Sequence, residues 1–182
     1  MAGEDIQKVQ EYFNVIENNI IKFIKNACID QSCITTILLV FAVADSLGKL
    51  THPNSNATSG ERFKFLISKF GKKYEDKKNK LWKLRNSLAH NALNVEVFLS
   101  MTELGEEHHL EDVNAPGQIY INTKVLFDDF CSLFNSEKLR IIGNNSALTQ
   151  AGSRLVWHYD EYKYSLDFPV TPPPPVSFIG TT

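Results

Sequence analysis

Leu81-Trp82-Lys83-Leu84-Arg85-Asn86-Ser87-Leu88-Ala89-His90-Asn91-Ala92-Leu93 is the stretch that decides how this chain reads. An ideal helix turns about 100° per residue. With Leu81 at zero, Leu84, Leu88 and Ala92 fall at about 300°, 340° and 20°, and Trp82 and Leu93 extend the apolar arc to about 120°. Arg85 falls at about 40°, inside that arc. The segment is an amphipathic helix that points an arginine toward the core or a covered groove. Asn86 and His90, four residues apart, stack on one flank. Arg85 and His90 are separated by about 140°, so only the length of the arginine, or a second copy of the helix across a dimer interface, brings both to one phosphate.

The chain upstream reads as further helices. Ile6, Val9, Phe13, Ile16, Ile20, Phe23/Ile24 and Ala27 recur at three- and four-residue steps, which predicts a long amphipathic helix over 5–27. A second helix over 32–50 is apolar on nearly every side (Ile34, Ile37, Leu38, Leu39, Val40, Phe41, Val43), as the buried centre of a bundle would be. Asp45 lies within it, and a carboxylate at that depth needs a partner or must lose its charge. Residues 51–60 read as a loop, Ser59 as the cap of a third helix over 61–70, and Gly71 as its break. The helix with the Arg85 stretch runs over 76–93.

Beyond Asn94 the pattern changes. Val95, Val97 and Leu99 alternate with Glu96, Phe98 and Ser100, which predicts a strand; 106–113 and 118–122 are weaker strand candidates around an Asn114-Ala115-Pro116-Gly117 turn. The expectation is a small antiparallel β insertion over about 94–122. A fifth helix follows, capped at Asn122 or Thr123, and 154–164 is ambiguous between strand and helix. Residues 1–165 make one domain, and 166–182, with Pro172-Pro173-Pro174-Pro175, an extended tail.

Composition is that of a soluble globular protein, 43% hydrophobic and 22% charged. The longest apolar stretch, Ile34 to Ala44, falls short of a membrane span, and the acidic N-terminus does not read as a secretory signal, so a cytoplasmic protein with no membrane partner is expected. Three cysteines without metal-ligand spacing read as free thiols. No metal site or cofactor is expected: His108 and His109 are adjacent and would point to opposite faces of a strand. Charge is uneven. Residues 62–85 hold ten basic residues against Glu75 and Asp76, inside a chain whose net charge is −2. That excess suits a polyanion, with Arg62, Lys73, Lys80 and Lys83 as candidate RNA contacts, or else a solvated lysine-rich helix face. Tyr74 among these lysines reads as a surface tyrosine or a base-stacking platform, and Trp82 as core.

An arginine offers a planar fork to phosphate oxygens, a histidine can move a proton near neutrality, and an amide can orient the ring. Together they have the chemistry for metal-independent RNA cleavage. Arg85-Asn86-Ser87-Leu88-Ala89-His90 resembles the R-x(4–6)-H motif of HEPN domains, including the polar residue after the arginine. Ala44-Asp45-Ser46-Leu47-Gly48-Lys49-Leu50, Arg62-Phe63 and Leu81-Trp82-Lys83-Leu84 precede it in a HEPN-like order, and the resemblance covers roughly residues 5 to 93. It implies a mainly α, HEPN-like helical bundle, commonly a homodimer, with many members acting as ribonucleases in toxin–antitoxin, antiviral and RNA-processing systems. By resemblance Arg85 and His90 would be catalytic and Asn86 auxiliary, with RNA as substrate and an antitoxin or other protein as a compatible partner. Others of the family only bind RNA, nucleotide or protein. The β insertion and proline tail lie outside the minimal pattern. Arg85 has a second reading, as the partner that neutralises Asp45. That pairing would equally let Asp45 orient the set from behind.

Overall fold

The computed structural model describes residues 2–30, 32–90, 97–100, 106–112 and 119–166; the side chains of Ala2, His90, 97–100 and 156–166 lie outside that description. The protein is a mainly α helical bundle. Its first helical run comprises α1 (Ala2–Val15), a π turn (Ile16–Ile21) and α2 (Lys22–Ile29). Val9, Phe13 and Ile16 are buried, and so are Ile24, Ala27 and Cys28. On an unbroken α-helix Ile24 would stand about 80° out of step with Ile16. The wider π turn resets the phase, so one stripe stays on the core.

Helix α3 (Cys33–Thr51) is the centre. It packs against α2, α4 (Ser59–Ser68), α5 (Lys72–His90), α6 (Thr123–Ile142) and α7 (Asn145–Leu166). Among the described residues it alone is long and apolar enough to cross a membrane by length and composition. This exceeds the Ile34–Ala44 stretch read from the sequence, because the apolar pattern continues through Leu47, Gly48 and Leu50, all buried here. Phe41 meets Phe63 edge-on at 5.2 Å, Phe63 lies 5.5 Å from Trp82, and Phe13 meets Phe134 at 5.5 Å, tying α3, α4 and α5 on one side and α1 and α6 on the other. Burying one such phenylalanine stabilises by about 1.5–3 kcal/mol. The three cysteines are free.

Several boundaries differ from expectation. Thr58, not Ser59, caps α4: its hydroxyl accepts from the Glu61 amide at 3.3 Å, and Glu61 accepts from the Thr58 amide at 2.8 Å. The reciprocal capping box needs an acid three residues on, which Thr58 has and Ser59 lacks. Helix α5 begins at Lys72, directly after Gly71, whose φ of +124° is open to glycine and strained for other residues. The segment that was ambiguous is helical, within α7. Asn122 caps α6 through Val125 at 3.1 Å.

The β insertion is small, as expected, but its two strands, β1 (Val97–Ser100) and β2 (Ile119–Asn122), run parallel, in register Val97 to Ile119 through Ser100 to Asn122. Residues 101–118 separate them, which is a crossover length and not a hairpin turn. Among the described residues, the antiparallel pairing expected there survives only as a bridge between Asp112 and Ile119, with Leu110 donating to Tyr120 at 2.8 Å and Tyr120 to Glu111 at 2.9 Å. Glu106–His108 is a single 3₁₀ turn and not a strand. The Asn114–Gly117 turn and the proline tail from residue 167 lie outside the described residues.

Two contacts set the far end of α3. Arg154 of α7 donates from Nη1 to the carbonyls of Lys49, Leu50 and His52 at 2.5–3.1 Å, capping the helix from outside. Gly48 touches α4: a Cβ there would sit 2.6 Å from the Arg62 carbonyl oxygen. The absence of a side chain lets α4 lie close enough to deliver Arg62 beside Asp45.

Candidate functional site at the Asp45–Arg85 cluster

Three helices meet around Asp45. It comes from α3, Ser59 and Arg62 come from the start of α4, and Trp82, Arg85 and Asn86 come from α5. Asp45 Oδ2 accepts from Arg85 Nη2 at 3.2 Å and from Ser59 Oγ at 2.8 Å. Arg62 Nε stands 3.8 Å from Asp45 Oδ1. Neither of those last two atoms, both sealed from solvent, makes a hydrogen bond. Arg62 is anchored instead through Nη1, which donates to the Ala57 carbonyl at 3.1 Å.

Arg85 Nη1 donates to Asn86 Oδ1 at 3.2 Å, and the guanidinium carbon lies 5.3 Å from the centroid of the Trp82 ring. That distance is within cation–π range. The fork is therefore oriented on three sides, by a carboxylate, an amide and an indole. It is not sealed: the Arg85 side chain is 26% exposed and that of Asp45 17%. Two guanidiniums share one carboxylate, so the cluster has a surplus of positive charge and suits an anion.

The structure thus brings together Asp45, Arg85, Asn86 and Arg62 of the residues singled out in the sequence. The pairing of Arg85 with Asp45, one of its two readings, is formed, and the outward opening means that the other is not closed off. His90 is the last residue of α5, and its side chain lies outside the described residues. Ser59 was missed as a site residue because it had been read as a cap. Thr58-Ser59-Gly60-Glu61, with the acid three residues after Thr58, contains the signal that releases it.

The candidate RNA-contacting residues do not form one patch. On the helical wheel set from Leu81, Lys80 and Lys73 fall at about 260° and 280°, beyond the edge of the buried arc that lies away from Arg85 at about 40°, and Lys77 at about 320° falls just inside that edge. Lys83, at about 200°, lies on the exposed back between them. Lys73 Nζ donates to the Glu107 carbonyl at 3.2 Å, and Lys77 and Lys80 reach the two oxygens of Asp112 at 2.8 and 2.6 Å. Lys77 was not singled out, although its spacing to Lys73 and Lys80 puts all three on one stripe.

Tyr74 is buried, which corrects the reading as a surface or base-stacking residue. Its partners come from the insertion and from α6, both distant in sequence. The Asn122 backbone N–H donates to His109 Nδ1 at 3.1 Å, so a neutral ring carries its proton on Nε2, which faces Tyr74 Oη at 2.9 Å. Tyr74 in turn donates to Asp129 Oδ2 at 2.7 Å. Burial and Asp129 push the Tyr74 phenol far up, and burial holds His109 down at about 4. His108 points elsewhere, to Glu111 at 2.8 Å, and that hydrogen bond raises its pKa. The two histidines do diverge. Among the described residues no three His, Cys, Asp or Glu side chains converge at metal-ligand spacing. Comparison with protein-family models, with curated proteins and with solved structures returns no match.

Proposed function

We propose that this chain is a metal-independent endoribonuclease of the HEPN type, working as a cytoplasmic homodimer with Arg85 and His90 as the essential pair. The observation that carries the reading is the state of Arg85: oriented by Asp45, Asn86 and Trp82, yet a quarter open to solvent on the helix that ends in His90. Pre-orientation of a cation is what a site that stabilises phosphorane charge requires. In this reaction the 2′-oxygen of a nucleotide attacks the adjacent phosphorus and the P–O5′ bond breaks. His90 handles the proton at the attacking or leaving oxygen. Arg85 takes the charge that gathers on the phosphoryl oxygens, and Asn86 holds the fork in place. The products are a 2′,3′-cyclic phosphate and a 5′-hydroxyl.

The test uses purified full-length chain and its His90→Ala variant, matched for folding by circular dichroism and incubated with mixed RNA in EDTA. Cleavage by the parent alone, leaving 2′,3′-cyclic ends, is the expected result. Equal cleavage by both, or none by either, overturns the proposal. One observation favours a second reading, a non-catalytic module that binds RNA, nucleotide or protein. Arg85 already has a carboxylate partner, and that pair accounts for its burial without any substrate. Salt-sensitive RNA binding with no cleavage would establish it.

A further inference from the structure

Resting on the RNA reading above, we propose that residues 106–112 form an acidic strap that occupies the lysine stripe of α5 in place of RNA phosphates. Its four acids, Glu106, Glu107, Glu111 and Asp112, lie in seven residues. Asp112 is the centre of the contact. One anionic group presents two oxygens, and each takes a different ammonium: Oδ1 takes Lys80 at 2.6 Å and Oδ2 takes Lys77 at 2.8 Å. Two charged oxygens of a phosphate bridging two lysines one turn apart would meet the same donors. Lys73 is turned to the strap as well, through the Glu107 carbonyl.

The strap is built to stay while its charged rim lets go. Beneath the rim it is pinned by the buried His109 and Leu110, through the Tyr74 and Tyr120 hydrogen bonds already described. Leu110 holds a φ of +67°, a left-handed conformation that is strained for a residue with a side chain and that only a fixed backbone path sustains. At the rim, by contrast, the Asp112 side chain is 60% exposed. Ion pairs in that setting stabilise little, so a polyanion can replace the carboxylate at small cost. Lys83, exposed on the back of α5, lies between this stripe and the Arg85 flank, so an RNA strand that displaced the Asp112 carboxylate would have a cation on its way to the Arg85 flank.

Fluorescence anisotropy with a labelled oligouridine of about 20 nucleotides tests this. Every ribose is 2′-O-methylated, so that binding is read without cleavage. The full chain, Asp112→Asn, Lys77→Gln/Lys80→Gln and the triple variant are titrated at low salt, with Asp112→Glu as the charge-retaining control. Asp112→Asn should bind about three- to tenfold more tightly and show a steeper salt dependence, by about one to two in slope, as two lysines become available. The control should match the parent. In the Lys77→Gln/Lys80→Gln background the Asp112 substitution should have no effect on affinity. Equal or weaker binding by Asp112→Asn, with its melting temperature unchanged, overturns the strap while leaving the RNA reading in place. Binding by neither protein overturns both.

Discussion

Replacing Asp45 by asparagine removes one charge from the centre of the three-helix cluster and changes almost nothing in shape. At 3.2 Å from Arg85 Nη2, in surroundings of effective dielectric about 20, the lost attraction is about 5 kcal/mol before desolvation is counted. Most of that is offset, since both ions were taken partly out of water to form the pair. A fully buried pair costs about 3–5 kcal/mol to break, and an exposed one about 0–1. With side chains 17% and 26% exposed, this pair lies between the two limits, and about 2 kcal/mol is expected. Arg62 adds in the same direction, because it keeps its positive charge 3.8 Å from where the carboxylate was. For a chain of this size the loss lowers the melting temperature by about 4–8 °C. The decisive assay is a double-mutant cycle by urea unfolding, with Asp45→Asn, Arg85→Gln and the double variant. A coupling energy of about 1–2 kcal/mol is expected. Single effects that add to within about 0.5 kcal/mol would show that the two residues do not act as a unit, and the account of how Arg85 is oriented would fall with them.

Two further outcomes follow from other parts of the structure. Gly48→Ala puts a methyl group 2.6 Å from the Arg62 carbonyl, a backbone atom that cannot swing away; α4 must shift, at about 1–3 kcal/mol by urea unfolding, and the Asp45 coupling should weaken with it. His109 is held at about 4 against an ordinary 6.5, so below neutrality the unfolded chain binds a proton that the folded chain refuses. Stability contributed by the neutral ring is complete above about 6.5, falls as pH drops toward about 4, and is level below; the total is about 3 kcal/mol. Unfolding midpoints from pH 8 to pH 4 check this, and a profile unchanged in His109→Gln would refute it.

What could be read from the chain alone follows how local the cause was. The helices were legible because the N-terminal run declares itself through apolar residues three and four apart and α3 through apolar residues on nearly every side, and Asn122 was a readable cap. Asp45 and Arg85 could be named, one as a carboxylate in an apolar helix and the other as an arginine within an apolar arc, and their pairing was one of the two readings of Arg85. That they meet depends on how α3 and α5 pack, and the arrival of Arg62 beside them depends on the bare backbone at Gly48. Strand direction was not legible, since an alternating pattern is the same whichever way its partner runs. Tyr74 defeated the reading for a similar reason. Its neighbours in sequence are lysines, while the groups that bury it, His109 and Asp129, lie 35 and 55 residues away. The lysine stripe looked free because Asp112, which neutralises it, is equally remote.

The fork that Arg154 places on the end of α3 has a consequence for biosynthesis. Residues that shape the cluster are synthesised early, yet the helix that steadies them is sealed from a position more than a hundred residues later. A nascent chain still lacking that helix would leave two carbonyls of its central rod and that of His52 just beyond it without Arg154, and the flank of α1 uncovered. Contacts spanning such distances along the chain close slowly, so the far end of α3 is completed late in folding, once α7 has docked.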